Sequence, residues 1–236
     1  MDENLPLISC LMVTRGTHIE AIDASIFSFI SQSYENKEMI IVSDFNVDKL
    51  KLLLDKYKNE KIKLIQLSER YCVGDLRNIS IENASGDYCI IWDDDDLSHR
   101  DRIKMQYEKI IVENSDFCVL KEFLMYFYET KQLTKNRWYD DIICGLPPTI
   151  LFKNIPEFRY SSIQYSEDLH FFLLGHLNRC VLDNMSHLYV YTYKNSNSYD
   201  ESHYVNLCNS TKKTFDSKII DNVSYLFNYL NLEFIY

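Results

Sequence analysis

Four consecutive aspartates, Asp93 to Asp96, are the segment best suited to chemistry, and we call them the acidic run. Adjacent carboxylates repel one another, and a bound cation is the simplest way to keep all of them ionised. A cluster with only oxygen ligands favours Mg²⁺ or Mn²⁺ over zinc. In an extended strand, Asp93 and Asp95 would project to the same side. The alternative is an exposed acidic turn in which Asp96 or Ser98 caps the following helix.

Other polar residues are ambiguous when each is taken alone. The pair Glu167-Asp168 precedes apolar residues with helical spacing, so it is also typical of a helix N-cap or first turn. Asp44 follows an apolar run and could be a simple turn residue. The histidines at positions 99, 170, 176 and 187 lack the spacing of zinc ligands. The roles of these residues therefore have to be inferred from the strands and helices that position them.

Strand and helix patterns alternate through the first hundred residues. Apolar runs at 7–13, 39–42, 62–67 and 87–92 predict strands, and the apolar residues between them have the three-and-four spacing of helices. Continuous apolar strands alternating with helices predict a mostly parallel α/β sheet covered on both faces. Such sheets bind ligands beyond the carboxyl ends of their strands. Thr14, Asp44 and the acidic run all lie at such ends.

The second half of the chain has a less regular pattern. We predict a helix over 97–115, strands around a loop between 117 and 152, and a helix from Tyr165 to about Gly175. Strand patterns follow at 180–182 and 188–193, and a C-terminal helix is predicted from about 211 to 230. The apolar face of this last helix either packs on the domain or meets a partner, and packing is the simpler interpretation.

Length and composition limit the class of protein. The chain has 236 residues, enough for one well-buried α/β domain with a C-terminal extension. Its net charge of −10 would repel a polyanion, so we expect no nucleic-acid partner, and a bound diphosphate would need a local cation. The acidic N-terminus and the lack of a long apolar stretch argue against a signal peptide and a membrane span. Seven scattered cysteines indicate reduced thiols in a cytoplasmic protein.

The order of these motifs resembles glycosyltransferase family 2, the inverting transferases with the Rossmann-like GT-A fold. The resemblance covers roughly residues 5 to 195, and the combined spacing of its motifs is highly specific. It implies a GT-A domain over 1–205, with a nucleotide-binding half to about residue 97 and an acceptor half from 98, followed by a helical extension over 206–236. The matching segments are Pro6 to Thr14, Ser25 to Tyr34, Glu38 to Asp44, Gly74 to Asn78, Ala84 to Tyr88, Trp92 to Asp96, Ser166 to Leu169 and Tyr191 to Ser198.

The resemblance implies a nucleotide pocket built from the first part of the chain. By analogy, Thr14 would line this pocket, Asp44 would accept a hydrogen bond from the base, and Arg77 would steady the nucleotide. One difference concerns the base and ribose, because Phe45-Asn46 stands where the family commonly has Gly-Ser.

The resemblance also implies roles for the carboxylates. Asp93 and Asp95 would form the family's D-x-D motif, with Asp95 as the direct ligand of Mn²⁺ or Mg²⁺ and Asp93 nearer the ribose. Asp94 would occupy the variable position beside the nucleotide, and Asp96 would assist the metal. Asp168 would be the catalytic base.

The implied activity is inverting transfer of a hexosyl or N-acetylhexosaminyl group from a nucleotide-sugar, expected to be a UDP-sugar, to a glycan or glycolipid acceptor such as a growing cell-surface glycan. This activity would take place in the cytoplasm or at the inner face of the membrane, where the C-terminal helix could contact the bilayer or a second copy. Two alternatives remain open on the same scaffold. One is a nucleotidyltransferase or nucleotide-sugar hydrolase, and the other is a nucleotide-sugar-binding protein without transferase activity.

Overall fold

A computed structural model describes residues 5–45, 47–138, 144–168, 177–194 and 217–230, with side chains described from residue 221 in the last range. Within these residues the chain forms five α-helices and eleven β-strands. The helices are α1 (Ile19–Ile30), α2 (Asp48–Asp55), α3 (Val73–Glu82), α4 (Arg102–Glu113) and α5 (Ser217–Tyr229). The strands are β1 (Ile8–Val13), β2 (Lys37–Ser43), β3 (Ile62–Gln66), β4 (Tyr88–Ile91), β5 (Leu97–Ser98), β6 (Phe117–Leu120), β7 (Glu122–Phe127), β8 (Gln132–Arg137), β9 (Leu151–Lys153), β10 (Arg179–Leu182) and β11 (Tyr189–Tyr193).

Seven strands form the central sheet in the order β10-β6-β9-β4-β1-β2-β3. Every pairing in it is parallel except the two made by β9, which runs antiparallel between β4 and β6. Alternate residues of each strand face opposite layers, so Cys10 and Met12 pack with α1, α2 and α4 while Leu11 packs with α3. The predicted mostly parallel α/β sheet, covered on both faces, is therefore confirmed.

The register of the central strands brings three chain segments to one edge. Val13 at the end of β1 pairs with Val42 in β2, and Leu11 pairs with Ile91 at the end of β4. Because these strands are parallel, the residues that follow them emerge at the same edge. This edge carries polar residues that the sequence analysis predicts to be functional.

A smaller sheet, ordered β5-β11-β7-β8, packs beside the central one. Helix α5 covers it, burying Val223, Leu226 and Phe227 against residues that include Tyr126. The rings of Phe27 in α1 and Tyr229 in α5 also stack, with their centroids 3.6 Å apart. The apolar face of the C-terminal helix is thus packed against its own domain, in agreement with the simpler interpretation.

Several predicted boundaries need correction. Helix α4 begins at Arg102 rather than at residue 97, because Leu97–Ser98 pairs with β11. Its N-cap is Asp101, so the proposed cap by Asp96 or Ser98 is wrong. The backbone from Tyr165 to residue 168 consists of bends and turns, not helix. Residues 169–176 of that predicted helix and 211–216 of the C-terminal one lie outside the described residues.

Two further observations concern the cysteines and the possibility of a membrane span. The cysteines within the described residues are all free thiols, as their scatter along the sequence predicts. In the same residues, no α-helix combines the length and the apolar character needed to cross a bilayer.

Candidate functional site

Thr14 connects the end of β1 to the acidic run. Its backbone N–H donates to the carbonyl of Val42 at 3.0 Å, which extends the pairing of β1 with β2 by one residue. Its hydroxyl donates to the carboxylate of Asp94 and accepts from the N–H of Gly16 at 2.9 Å. Gly16 has a φ of 66°, a conformation that glycine adopts without strain. A tight turn after β1 therefore holds the first predicted nucleotide-binding residue against the acidic run.

The acidic run is not an extension of β4. That strand ends at Ile91 and the backbone bends at Asp94 and Asp95, so the extended geometry expected for Asp93 and Asp95 is wrong. Side chains from other elements hold the bend in place. The Ser25 hydroxyl donates to the Asp93 carbonyl at 2.8 Å, and the Thr192 hydroxyl donates to the Asp95 carbonyl at 2.7 Å.

Both carboxylate oxygens of Asp96 are engaged by β11. The Tyr189 hydroxyl donates to Oδ2, and the Thr192 N–H donates to Oδ1 at 2.7 Å. Only 3% of Asp96 is exposed. These contacts tie the end of the acidic run to the smaller sheet, so Asp96 occupies a structural position in this arrangement.

Arg77 in α3 joins the acidic run to the Glu167-Asp168 pair. Its Nε donates to Glu167 Oε1 at 2.9 Å and its Nη2 donates to Asp93 Oδ1 at 3.3 Å. Its guanidinium also lies over the ring of Tyr160, 5.6 Å from the centroid. The side chains of Arg77 and Glu167 are only 11% and 8% exposed. A largely buried cation therefore joins the predicted nucleotide site to Glu167, the residue that precedes Asp168, the predicted base.

Burial governs the electrostatics of these carboxylates. It raises the pKa of Asp94 to about 6, and Asp93 adds to the increase. Burial, together with Asp94 and Asp93, raises the pKa of Asp95 well above its usual range. It also raises the pKa of Asp168 to about 6, although the positive charge of Arg77 opposes this shift. The crowding of the acidic run favours a cation, and Asp168, which lies outside the run, has a pKa at which a carboxylate can exchange a proton close to neutral pH.

The donor set of the acidic run fits a hard divalent cation. It offers only oxygen atoms, and a cation would relieve both the burial of these carboxylates and their mutual repulsion. Across the described residues, no three side chains of His, Cys, Asp or Glu already converge on one point suitable for a metal ion. Oxygens from a bound phosphate would then complete the coordination shell.

Asp44, at the end of β2, contacts the loop that precedes α3. Its Oδ2 accepts from the Tyr71 N–H at 3.0 Å and its Oδ1 accepts from Arg70 Nη1 at 3.3 Å. Its side chain is only 5% exposed, whereas that of Arg70 is 60% exposed. The guanidinium carbon of Arg70 lies 4.1 Å from the centroid of the Phe45 ring. Asp44, the residue predicted to bind the base, therefore forms an ion pair with Arg70. The Arg70 guanidinium stacks on Phe45, the residue that differs from the family pattern.

Two basic residues near the acidic run were not predicted. Arg102 is fully buried, donates to the carbonyl of Ile91 at 3.1 Å, and lies over the ring of Tyr189 with 4.7 Å to the centroid. Lys194 lies over the ring of Tyr128 at 4.0 Å from the centroid. Burial lowers the pKa of Lys194, while Asp95 raises it. Lys194 lies within the matching segment Tyr191 to Ser198, but the sequence indicates a role for neither residue, because both roles depend on contacts between distant segments.

Comparison with known proteins gives a family and a fold. Residues 9–174 match the family model for glycosyl transferase family 2. A curated relative from Escherichia coli, the UDP-Glc:alpha-D-GlcNAc-diphosphoundecaprenol beta-1,3-glucosyltransferase WfaP, is 30% identical over 113 residues, which are 45% of this chain and 44% of WfaP. The chain spans less than half the length of the first curated relatives it matches.

Solved structures of similar proteins confirm the predicted GT-A fold. Residues 1–349 of S. aureus TarS, in complex with UDP-GlcNAc, superpose with a TM-score of 0.67 at 16% identity, covering 98% of this chain and 68% of that one. The mannosyltransferase PcManGT from Pyrobaculum calidifontis, in complex with GDP-Man and Mn²⁺, superposes with a TM-score of 0.62 at 11% identity, covering 97% of this chain and 71% of that one. At these identities the likeness concerns the fold.

Proposed function

This chain belongs to glycosyl transferase family 2, and we propose that it transfers a sugar from a UDP-sugar to a hydroxyl group of a glycan or glycolipid acceptor. The observation that carries this proposal is the double contact of Arg77, which bonds to Asp93 and to Glu167. It joins the carboxylate cluster suited to a diphosphate and its metal to Glu167, the residue next to Asp168, and the Arg77 charge also acts on the pKa of Asp168, the carboxylate suited to accept a proton. A transferase needs both functions within one site.

The donor would lie along the edge formed by β1, β2 and β4. Thr14 would line the nucleotide pocket, Asp44 would accept from the base, and Arg77 would steady the nucleotide while keeping Asp93 in place. Uracil is supported by two similar proteins, since TarS was solved with UDP-GlcNAc and the name of WfaP specifies UDP-Glc. The N3–H of uracil is the kind of donor that the Asp44 carboxylate can accept.

Asp95 and Asp93 would hold Mn²⁺ or Mg²⁺. Asp94 would stay hydrogen-bonded to Thr14. Asp96 would hold the bend of the acidic run in place through its hydrogen bonds from Tyr189 and Thr192. When bound, the divalent ion would supply Lewis-acid neutralisation of the charge that develops on the departing diphosphate. PcManGT, which was solved with Mn²⁺ and GDP-Man, supports a divalent ion on this fold.

Asp168 would act as the general base. Deprotonated, it would take the proton from the acceptor hydroxyl as that oxygen attacks the anomeric carbon from the face opposite the leaving group. One displacement of this kind inverts the anomeric configuration. The name of WfaP specifies a lipid-linked acceptor, GlcNAc-diphosphoundecaprenol. This similarity supports a glycolipid acceptor for the present chain and sugar transfer at the inner face of the membrane.

Titration calorimetry with UDP, in the presence and absence of Mn²⁺, tests the proposed donor. UDP should bind more tightly with Mn²⁺, and more tightly than CDP or ADP. Asp95→Ala should keep weak UDP binding but lose the enhancement by metal. Failure of the wild-type protein to bind any of the three nucleotides would contradict the proposal and favour a scaffold protein of the same fold.

A further inference from the structure

We propose that Arg70 recognises the nucleobase together with Asp44, and is thereby a specificity-determining residue for uracil. This inference rests on the proposed function, because it assumes that a UDP-sugar occupies the edge of the sheet. It assigns a role to an arginine that neither the motifs of the sequence nor the Arg77 contacts include.

The position of Arg70 is set by two neighbouring residues at the end of β2. Its Nη1 lies 3.3 Å from Asp44 Oδ1, and its guanidinium carbon lies 4.1 Å from the centroid of the Phe45 ring. Phe45 is itself held by a hydrogen bond from its N–H to the Ser43 hydroxyl at 3.3 Å. The contact with Asp44 and the stacking on Phe45 therefore place the planar group of Arg70 beside the carboxylate, although much of the side chain is exposed.

An ion pair in this position contributes little to the stability of the fold, because 60% of the Arg70 side chain is in contact with solvent. Its hydrogen-bonding capacity remains large. A guanidinium has five N–H donors in one plane, and the contact with Asp44 uses one of them. Each carboxylate oxygen of Asp44 can accept a further bond beyond those from Arg70 and Tyr71. The Asp44 carboxylate, an acceptor, and the Arg70 guanidinium, a donor, thus lie next to each other at the edge of the proposed nucleotide pocket.

This pair complements the edge of uracil. Uracil presents N3–H between two carbonyl oxygens, so Asp44 can accept from N3–H while Arg70 donates to the adjacent carbonyl. Cytosine has an unprotonated N3, which would face the Asp44 carboxylate with no proton between the two acceptors. A site whose polar groups are left unpaired by the wrong base rejects that base. Phe45 contributes by holding the guanidinium plane next to Asp44.

Thio-substituted nucleotides test this proposal, because sulfur is a weaker hydrogen-bond acceptor than oxygen. We would measure Kd for UDP, 2-thio-UDP and 4-thio-UDP with Mn²⁺, on the wild-type protein and on Arg70→Met. The wild-type protein should bind one thio analogue about tenfold more weakly than UDP, as expected for loss of a hydrogen bond to a charged group. Arg70→Met should bind UDP about tenfold more weakly and lose the discrimination against that analogue.

The comparison between the two proteins isolates Arg70, because the altered acidity of N3–H in thio analogues affects both equally. Arg100→Met is the matched control, since Arg100 is exposed and its backbone N–H bonds to Tyr225 of α5. This control should bind all three nucleotides as the wild-type protein does. Equal melting temperatures would show that the folds are intact.

Two results would overturn the inference, and they differ in what else they affect. If Arg70→Met binds UDP as tightly as the wild-type protein, or keeps its discrimination between UDP and the thio analogues, then Arg70 does not contact the base. The proposed function would survive that outcome. If the wild-type protein binds none of the three nucleotides, the proposed function itself is contradicted, and uracil recognition by Arg70 is contradicted with it.

Discussion

The pH dependence of transfer should report the ionisation of Asp168, and Arg77→Met should move it. A general base acts in its deprotonated form, so the rate is lost as pH falls through its pKa. With a pKa of about 6 in the wild-type protein, roughly nine-tenths of Asp168 is ionised at pH 7 and roughly one-tenth at pH 5. The rate at pH 5 should therefore be about tenfold lower than at pH 7.

Removing the Arg77 guanidinium should raise the pKa of Asp168. Arg77 lowers the pKa of Asp168, whereas burial, Glu167 and Asp93 all raise it. Without the cation, the acid limb of the pH–rate profile should shift to higher pH. Losing the guanidinium breaks its ion pairs with Glu167 and Asp93, whose side chains are 8% and 22% exposed, and should destabilise the fold by about 3 kcal/mol, the low end of the range for buried pairs.

The assay is kcat/KM for release of the nucleotide, measured between about pH 5 and about pH 8 at a temperature where both proteins are folded. Arg77→Lys is the matched control, because it keeps the positive charge without the second directed contact, so its acid limb should lie closer to that of the wild type than the acid limb of Arg77→Met does. An Arg77→Met protein that is folded and active, with the same acid limb as the wild type, would refute the reasoning that Arg77 sets the pKa of Asp168.

The remaining predictions concern the metal, the base and the C-terminal helix. Chelation by EDTA should abolish transfer, and full activity in excess EDTA would contradict a metal role for Asp95. GDP or CDP outcompeting UDP in a binding assay would contradict base recognition by Asp44. Phe227→Ala should lower the free energy of unfolding by about 3–5 kcal/mol, because Phe227 is fully buried and its ring contacts that of Tyr126. Chemical denaturation measures this loss, and an unchanged midpoint would contradict the packing of α5.

The sequence predicts the fold and the candidate site best where they depend on local pattern. Strands buried on both faces must be continuously apolar, so β1, β2 and β4 were visible as runs of apolar residues. The rule that ligands bind beyond the carboxyl ends of parallel strands then placed Thr14, Asp44 and the acidic run at one edge. The structure confirms this placement, because the strand register aligns Val13 with Val42 and Leu11 with Ile91.

Contacts between distant segments could not be predicted in this way. The engagement of Asp96 by Tyr189 and Thr192 joins residues more than ninety positions apart, and it depends on a second sheet that has no separate signal. The burial of Arg102 depends on the same sheet, since arginine is usually exposed. Glu167 was visible as the neighbour of Asp168, but its bond to Arg77 was not. Tertiary packing decided each of these positions.

Turnover by Asp168→Asn, together with the stereochemistry of the wild-type product, tests inverting transfer with Asp168 as the base most directly. This variant keeps the shape of the side chain and removes its basicity. With an α-linked UDP-sugar and a suitable acceptor, the wild-type protein should form a β-linked product. Asp168→Asn should bind UDP and Mn²⁺ nearly as the wild type does, while kcat falls by roughly two to four orders of magnitude. Wild-type turnover by the variant, or an α-linked product from the wild-type enzyme, would contradict direct displacement with Asp168 as the base.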